Sequence, residues 1–563
     1  MTKPGSTTAA LTASVQASGA RSALGSRHLC LLGPMGVGKS TLAPLLASAL
    51  DRTAIDLDAE IPRTAGRSVA VLFAELGEAG FRDHEATALR EALAGPPAVI
   101  ACGGGAALAE ANRALLREGA FCLGLFAPAS LLAARVAGDT ARPLAGDAAT
   151  LQRLLGERRG RHAEALDLAI AAGDVAPDAL CQRALSALAM TPAWLRCAAE
   201  EGQEALLAGP GCLDAALPAI ARLGGGRVAV VSDATVMALH GHAIASALEA
   251  LGCMVERHVI AGAEATKTLA TYSALVTALV AGGGGRDLLV VAVGGGVVCD
   301  IAGFAAATAL RGVRHVLIPT TLLAQVDAAI GGKTGVDTAA GKNLVGAFHP
   351  ARLVACDGEL LRTLPAPRWA EGLAELSKTA LVADADLWAA MEAAAASGTL
   401  RRLVQAEGVS EGVSEADRAA VGDLAGRCAV RKRSITAADP REAGLRRCLN
   451  FGHTFGHALE RTVGYGVISH GEAVAIGMRL ALDLGVALAV TPPGLRDRAL
   501  GLLEACALPT TLPHHVEPEQ LLSALGHDKK AEGAGVRFIL VPAAGSYVER
   551  WLTAGQIAAS LGW

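Results

Sequence analysis

The sequence predicts an α/β protein made of two consecutive parallel α/β units and a mainly helical unit. Three observations carry this. First, 563 residues exceed one core, and about 150 residues per domain gives three or four units. Second, two separate series of short apolar runs alternate with helical patterns, the signature of parallel sheets. Third, the strand signal fades from about residue 366, where Ala/Leu-rich helical patterns take over.

In chain order, residues 1–27 hold no acid, three basic residues (Lys3, Arg21, Arg27) and much Ser, Thr, Ala and Gly, and are expected to be a disordered leader; a transit peptide shares that composition. His28–Leu32 reads as a strand running into a Gly-rich turn and a helix, and this alternation continues to 185. Met190–Trp194 carries Pro192 between helical patterns, which places a linker at 186–196 and suggests two halves that fold and work separately. The second series, over 197–365, contains Arg227–Val231, Met254–Ile260, Leu288–Val293 and Val316–Pro319. Residues 366–563 form the helical unit, with a tandem EGVS at 407–410 and 411–414 expected on a surface loop.

Composition narrows the function. Hydrophobic residues make up 52% and aromatic residues 3%, so the cores must be aliphatic. A formal net charge of −4 lacks the basic footprint of a nucleic-acid binder. The charge-free runs 92–109 and 268–285 are broken by Pro-Pro and Gly clusters, so no membrane span is expected. Twelve cysteines without a CxxC pair fit reduced thiols in a cytoplasmic protein.

Gly33-Pro-Met-Gly36-Val-Gly38-Lys39-Ser40-Thr41 fits GxxxxGK[ST] between a predicted strand and helix. Glycines let backbone N–H groups close around phosphates, Lys39 reaches the β/γ-phosphates, and Ser40 ligates Mg²⁺. Downstream stand Asp56-Leu-Asp58, Gly66-Arg67-Ser68, Phe81-Arg82, Gly103-Gly104-Gly105 and Arg142-Pro143-Leu144. Singly, each reads as a helix start, a turn or a solvated charge. In this order they resemble shikimate kinase over about residues 28–175. The resemblance implies a P-loop kinase that uses ATP and Mg²⁺. Asp56 would assist the metal, and Asp58 would hold the shikimate hydroxyls as base. Arg82 and Arg158 would clamp the carboxylate, Gly104 would contact the substrate, and Arg142 on a lid would neutralise the transferring phosphoryl group. Gly160-Arg161-His162 departs from the family pattern, so Arg158, Arg159 and Arg161 all remain candidates.

In the second half, Leu288–Val293 runs into Gly294-Gly295-Gly296 and Asp300, a turn suited to a pyrophosphate but without GxGxxG spacing. Arg446, Asn450, His453 and His457 sit at offsets of four, seven and eleven, which would fall within roughly a 60° stripe of one helix. His453 and His457 form an HxxxH pair that can grip zinc. Glu375 and Lys378 share a face of another helix, and His470-Gly471-Glu472 adds an imidazole.

These segments, with Pro319-Thr320-Thr321, Gln325-Val-Asp327, Gly331-Gly-Lys333, Gly341-Lys342-Asn343, Gly372-Leu-Ala-Glu375, Leu449-Asn450-Phe-Gly-His453 and Asp528-Lys529-Lys530, resemble 3-dehydroquinate synthase across about 200–563. The resemblance implies a Rossmann-like NAD subdomain and a helical zinc subdomain. Glu375, His453 and His470 become the Zn²⁺ ligands, with Co²⁺ as an alternative metal, and His457 becomes a proton-transfer group instead of a ligand. Asp233, Glu264, Lys267, Gly295, Gly296, Asp300, Thr320, Thr321, Lys342 and Thr363 would line the NAD site. Lys333, Asn343 and Lys529 (or Lys530) would hold the phosphate of 3-deoxy-D-arabino-heptulosonate 7-phosphate, with Arg311 reaching across a homodimer. Lys432 and Arg446 would hold its carboxylate, while Asp327, Lys378 and Asn450 contact the reacting hydroxyls. A metal- and NAD-dependent polyol dehydrogenase is the rival for this half, and a degenerate P-loop scaffold the rival for the first.

Overall fold

A computed structural model describes residues 17, 20–21, 24–127, 129–136, 168–172, 175–190, 195–197, 204–224, 226–282, 285–339, 341–406, 413–464, 466–525 and 535–563. Arg142, Arg158, Arg159, Arg161, Lys529 and Lys530 lie outside these residues, as do 407–412 of the tandem repeat.

The first sheet contains β1 (His28–Leu32), β2 (Thr53–Asp56), β3 (Ala98–Ala101), β4 (Ala120–Phe126) and β5 (Leu168–Ala171). Its order is β2-β3-β1-β4-β5, parallel throughout. Every residue of β1 is buried because helices cover both faces, which explains its unbroken apolar run. Leu29 and Leu31 enter one apolar cluster while Cys30 and Leu32 enter another, as the two-residue period of a strand requires.

The second sheet adds β6 (Leu195–Cys197), β7 (Ala205–Ala208), β8 (Arg227–Asp233), β9 (Met254–Ile260), β10 (Leu289–Gly294), β11 (Arg314–Pro319) and β14 (Leu353–Cys356), with β12 (Lys333–Thr338) and β13 (Gly341–Phe348) forming a hairpin outside it. The order is β6-β7-β14-β11-β10-β8-β9, parallel except at β6. The helical unit follows, built on one large apolar cluster around Leu373, Leu376, Phe451, Phe455 and Val474. It ends in a hairpin of β15 (Val536–Leu540) and β16 (Val548–Leu552), which the fading strand signal did not reveal. Among the described residues eleven cysteines are free and buried. Among the described residues no helix is long and apolar enough to cross a membrane.

Two expectations need correction. The end of the expected leader is packed: Ala20 and Leu24 are buried in the first unit's core, and Arg52 donates from Nη2 to Gly25 O at 2.7 Å and from Nη1 to Arg27 O at 2.6 Å. Ala17, Ala20 and Leu24 recur at helical spacing and so offer one apolar stripe. The segment 186–196 is also not all linker, since a helix runs Pro177–Met190 and β6 begins at Leu195.

The two halves also touch. The helix Cys212–Leu223 is apolar nearly all round, carrying only Asp214 and Arg222 as charges, and such a helix needs cover on both sides. One side packs on β14 of its own unit and another on β5 of the first. One apolar cluster therefore contains Cys30, Ile100 and Cys122 together with Leu217, Ile220 and Leu248. Cutting the chain within 191–194 is accordingly expected to give fragments that copurify when mixed and melt at lower temperature apart. Size-exclusion chromatography and calorimetry check this; separate elution with unchanged melting would show that the contact contributes nothing.

Candidate active sites

In the first half, the turn after β1 needs left-handed glycines: Gly36 has φ 77° and Gly38 has φ 102°. A Cβ at Gly33 (φ 141°) would meet Leu125 O at 2.4 Å, so the turn also lies close against β4. Lys39 opens the helix Lys39–Leu50, and its buried Nζ donates to Gly33 O at 2.8 Å and Pro34 O at 3.0 Å. The ammonium is thus held over its own loop, where a phosphate chain would take over its bonds. Ser40 and Thr41 follow on the same helix.

Asp56 caps the next helix, Leu57–Ala65, by accepting from Asp58 N at 3.0 Å. Asp58, Arg82 and the triple glycine converge. A Cβ at Gly103 would meet Asp58 Oδ1 at 2.8 Å, and one at Gly105 would lie 1.6 Å from Arg82 Nη1. Glu85, which the sequence reading missed, accepts from Arg82 Nη1 at 2.8 Å and is 1% exposed. Burial pushes its pKa up, against the pull of Arg82. In the sequence it is only a second charge one helical turn beyond Arg82, a spacing that by itself marks no site.

In the second half, the expected nucleotide residues gather at the carboxyl ends of the parallel strands, where open α/β sheets bind ligands. Asp233 ends β8 and caps the next turn; Gly295 caps the helix Gly296–Thr308 after β10; Thr320 and Thr321 follow β11. The Thr320 hydroxyl is buried without a protein partner, as a ligand-facing donor would be. Lys267 Nζ contacts Asp300 Oδ2 at 2.6 Å and donates to Asn343 Oδ1 at 2.6 Å, linking the nucleotide set to the phosphate set. Burial pushes Lys267 down, but Asp300, with Glu264 in the same turn, holds it above its ordinary value. Burial raises Asp300 to about 6 despite Lys267. Thr363 Oγ1 lies 2.7 Å from His240 Nε2, a partner the sequence reading did not single out.

The metal set is built on two helices and a third beside them. Glu375 and Lys378 lie on Ala366–Ala383, both essentially buried, with the ammonium against Glu375 Oε2. His453 Nε2 and His470 Nε2 approach Glu375 Oε1 to 3.4 Å and 3.5 Å. Those separations match the edge of a tetrahedron with bonds of about 2.0–2.1 Å, so the donor set fits zinc. His453 Nδ1 lies 3.2 Å from Phe451 O, which fixes Nε2 as the free donor atom. Burial pushes Glu375 up, but Lys378 and the two imidazoles hold it well below the usual carboxylate range.

The single-helix stripe is corrected. Arg446 and Asn450 belong to a 3-10 segment, Leu445–Asn450, and the helix starts afresh at His453. Gly452 breaks it with φ 76°, and a Cβ there would strike Met478 Cγ at 2.6 Å. The residues still converge, but through a bend. His457 stays near the metal set, its ring centroid 5.2 Å from that of His453.

Around them, Lys432 donates to Asp327 O at 2.7 Å and to its carboxylate, and Lys378 lies 3.9 Å from Asp327 Oδ1. Burial pushes Asp327 up, but the two lysines hold it below its ordinary range. Arg446 Nη1 donates to Gly331 O and Pro440 O. Asn450 and Lys333 both donate to Glu442, at 2.6 Å and 2.5 Å, a carboxylate missed from sequence. Lys342 meets Glu460 at 3.1 Å. Arg311 is exposed, with φ 67°.

Comparison with known proteins finds relatives of both halves. A family model described as shikimate kinase matches residues 35–189. Models for the N-terminal and C-terminal parts of 3-dehydroquinate synthase match 257–371 and 372–531. A 3-dehydroquinate synthase of Synechocystis sp. is 40% identical over 355 residues, 63% of this chain and 95% of the relative. One from Caulobacter vibrioides is 42% identical over 339 residues, covering 59% and 88%. Among solved structures, a 2-epi-5-epi-valiolone synthase from Streptomyces hygroscopicus with NAD⁺ and Zn²⁺ bound is 32% identical. It covers 65% of this chain and 98% of that one, at a TM-score of 0.56.

Proposed function

The chain belongs to the 3-dehydroquinate synthase family and carries a shikimate kinase domain ahead of it, and on that premise we propose how its residues divide two reactions. The kinase half phosphorylates shikimate at the expense of ATP with Mg²⁺. The synthase half converts 3-deoxy-D-arabino-heptulosonate 7-phosphate into 3-dehydroquinate and phosphate, using NAD and zinc.

In the kinase half, Lys39 leaves Gly33 O and Pro34 O for the phosphate chain, and Ser40 and Asp56 serve Mg²⁺. Asp58 takes the proton of the attacking hydroxyl, with Arg82, Gly104 and Arg158 seating the shikimate ring and Arg142 closing from the lid. Positioning and charge neutralisation account for most of such catalysis.

In the synthase half, Glu375, His453 and His470 would hold zinc, which when bound would supply Lewis-acid polarisation of the substrate hydroxyl, and the strand ends around Gly295, Gly296, Asp300 and Thr320 would hold NAD, which would supply a hydride acceptor. The convergence of Glu375, His453 and His470 beside Lys378, Asp327 and His457 is the observation that carries this reading. His457, beside the metal set, serves as the proton-transfer group. Lys432 and Arg446 hold the carboxylate end; Lys333, Asn343 and Lys529 hold the phosphate, joined by Arg311 from the second copy of a homodimer. Two clamps on one substrate let a single site run successive steps. The domain division we adopt is 28–185 for the kinase, with 197–365 and 366–563 for the synthase, in a cytoplasmic enzyme.

Two assays on the full chain test the proposal. ATP consumption should depend on shikimate. Free phosphate should appear from the heptulosonate phosphate without net NADH. Net NADH accumulation would instead indicate a polyol dehydrogenase, which has no phosphate for Lys333 and Asn343 to hold.

A further inference from the structure

Glu460 has no role in the scheme above, yet it is a buried carboxylate, 3% exposed, at the centre of the synthase site. It lies on the helix His453–Val463, one turn beyond His457. Its Oε2 stands 3.7 Å from His470 Nδ1, on the side of that ring away from Glu375. Its Oε1 accepts from Lys342 Nζ at 3.1 Å. The contacts thus run from Glu375 through His470 and Glu460 to Lys342 on β13.

The helix carrying Glu460 has little freedom against the one carrying His470. A Cβ at Gly477 would fall 2.0 Å from Gly452 O, and one at Gly456 would fall 3.0 Å from Ala473 O. The two backbones are locked together, so the distance from Glu460 to His470 is set by packing. His470 also begins its helix, Ser469 and Glu472 forming the capping box that fixes its backbone. Its ring orientation is left to whatever the imidazole nitrogens meet.

We propose that Glu460 is a positioning residue, which holds His470 with Nδ1 protonated and Nε2 turned to the metal while fastening Lys342 to the same point. The inference rests on the zinc-site reading above. A ligating imidazole normally gives its second N–H to a carboxylate or carbonyl, and losing that partner weakens metal binding by about 10–100-fold. His453 has such a partner in Phe451 O, and for His470 the carboxylate that faces Nδ1, at 3.7 Å, is Glu460. The same carboxylate would place the nucleotide-side lysine in register with the metal.

The test is zinc affinity of the full chain, measured by competition with a chromophoric chelator, together with the visible spectrum after Co²⁺ loading. Glu460→Ala should weaken zinc by about 10–100-fold and alter the Co²⁺ spectrum. Glu460→Gln, which keeps an acceptor and serves if the alanine variant does not fold, should fall between. Asp417→Asn breaks a buried cluster of Thr399, Arg402 and Ser414 and controls for a merely structural effect. Unchanged zinc affinity in both Glu460 variants, or equal weakening by Asp417→Asn, overturns the proposal. His470→Ala distinguishes the premise: if that variant keeps native zinc affinity, the ligand set itself is wrong.

Discussion

Lys39→Ala is expected to lower shikimate-dependent ATP consumption by about a thousandfold or more, while phosphate release by the synthase half stays near native. The lysine is preplaced for its role, with Nζ held by Gly33 O and Pro34 O over the glycine turn. Its charge acts on phosphates whose negative charge spreads in the transition state, so a methyl in its place removes the interaction where it matters most. Binding of shikimate should change little, because Asp58 and Arg82 are carried by other segments. Coupled assays on one preparation read both activities. Loss of both would trace to folding through the shared apolar cluster, which a melting curve reveals; a kinase that keeps its rate would remove Lys39 from the mechanism.

Stripping zinc is expected to stop phosphate elimination altogether while excess Mg²⁺ keeps the kinase running. Glu375→Gln should reproduce the defect with metal present, for two reasons. The ligand charge is lost, and the Lys378 ammonium, buried against it, is left uncompensated. Breaking a buried pair in this way costs about 3–5 kcal/mol, so the variant should also melt earlier. Metal content by mass spectrometry, phosphate release and ATP consumption together check the outcome. A synthase that turns over with no zinc and no replacement metal would sink the assignment of Glu375, His453 and His470.

Much of this was legible in the chain itself, for identifiable reasons. The glycine turn before Lys39 and the run before Gly294 announce strand-turn-helix junctions, because only certain residues tolerate those backbones. The metal set was legible only through resemblance: spacing alone favoured His453 with His457, whereas His470 comes from the next helix. No periodicity could foresee that Gly452 ends the stripe by packing on Met478, since the clash is with a residue far along the chain. Glu85, Glu442 and Glu460 were invisible for a related reason. Each is an ordinary acid on a helix or turn until the fold sets it against Arg82, Lys333 or Lys342. The contact between the halves was missed because a helix apolar nearly all round, Cys212–Leu223, reads locally like any other buried helix.

The eleven buried cysteines turn this architecture into its own recorder. Cys30 and Cys122 sit in the first half and Cys253 in the second, all within the one cluster that spans them. Burial also raises the thiol of Cys212, on the shared helix, well above its ordinary pKa, so it is doubly shielded from alkylation. A thiol reagent given in brief pulses would therefore mark a molecule only at the instant its cluster opens, and peptide mapping of the label would read out which half let go first.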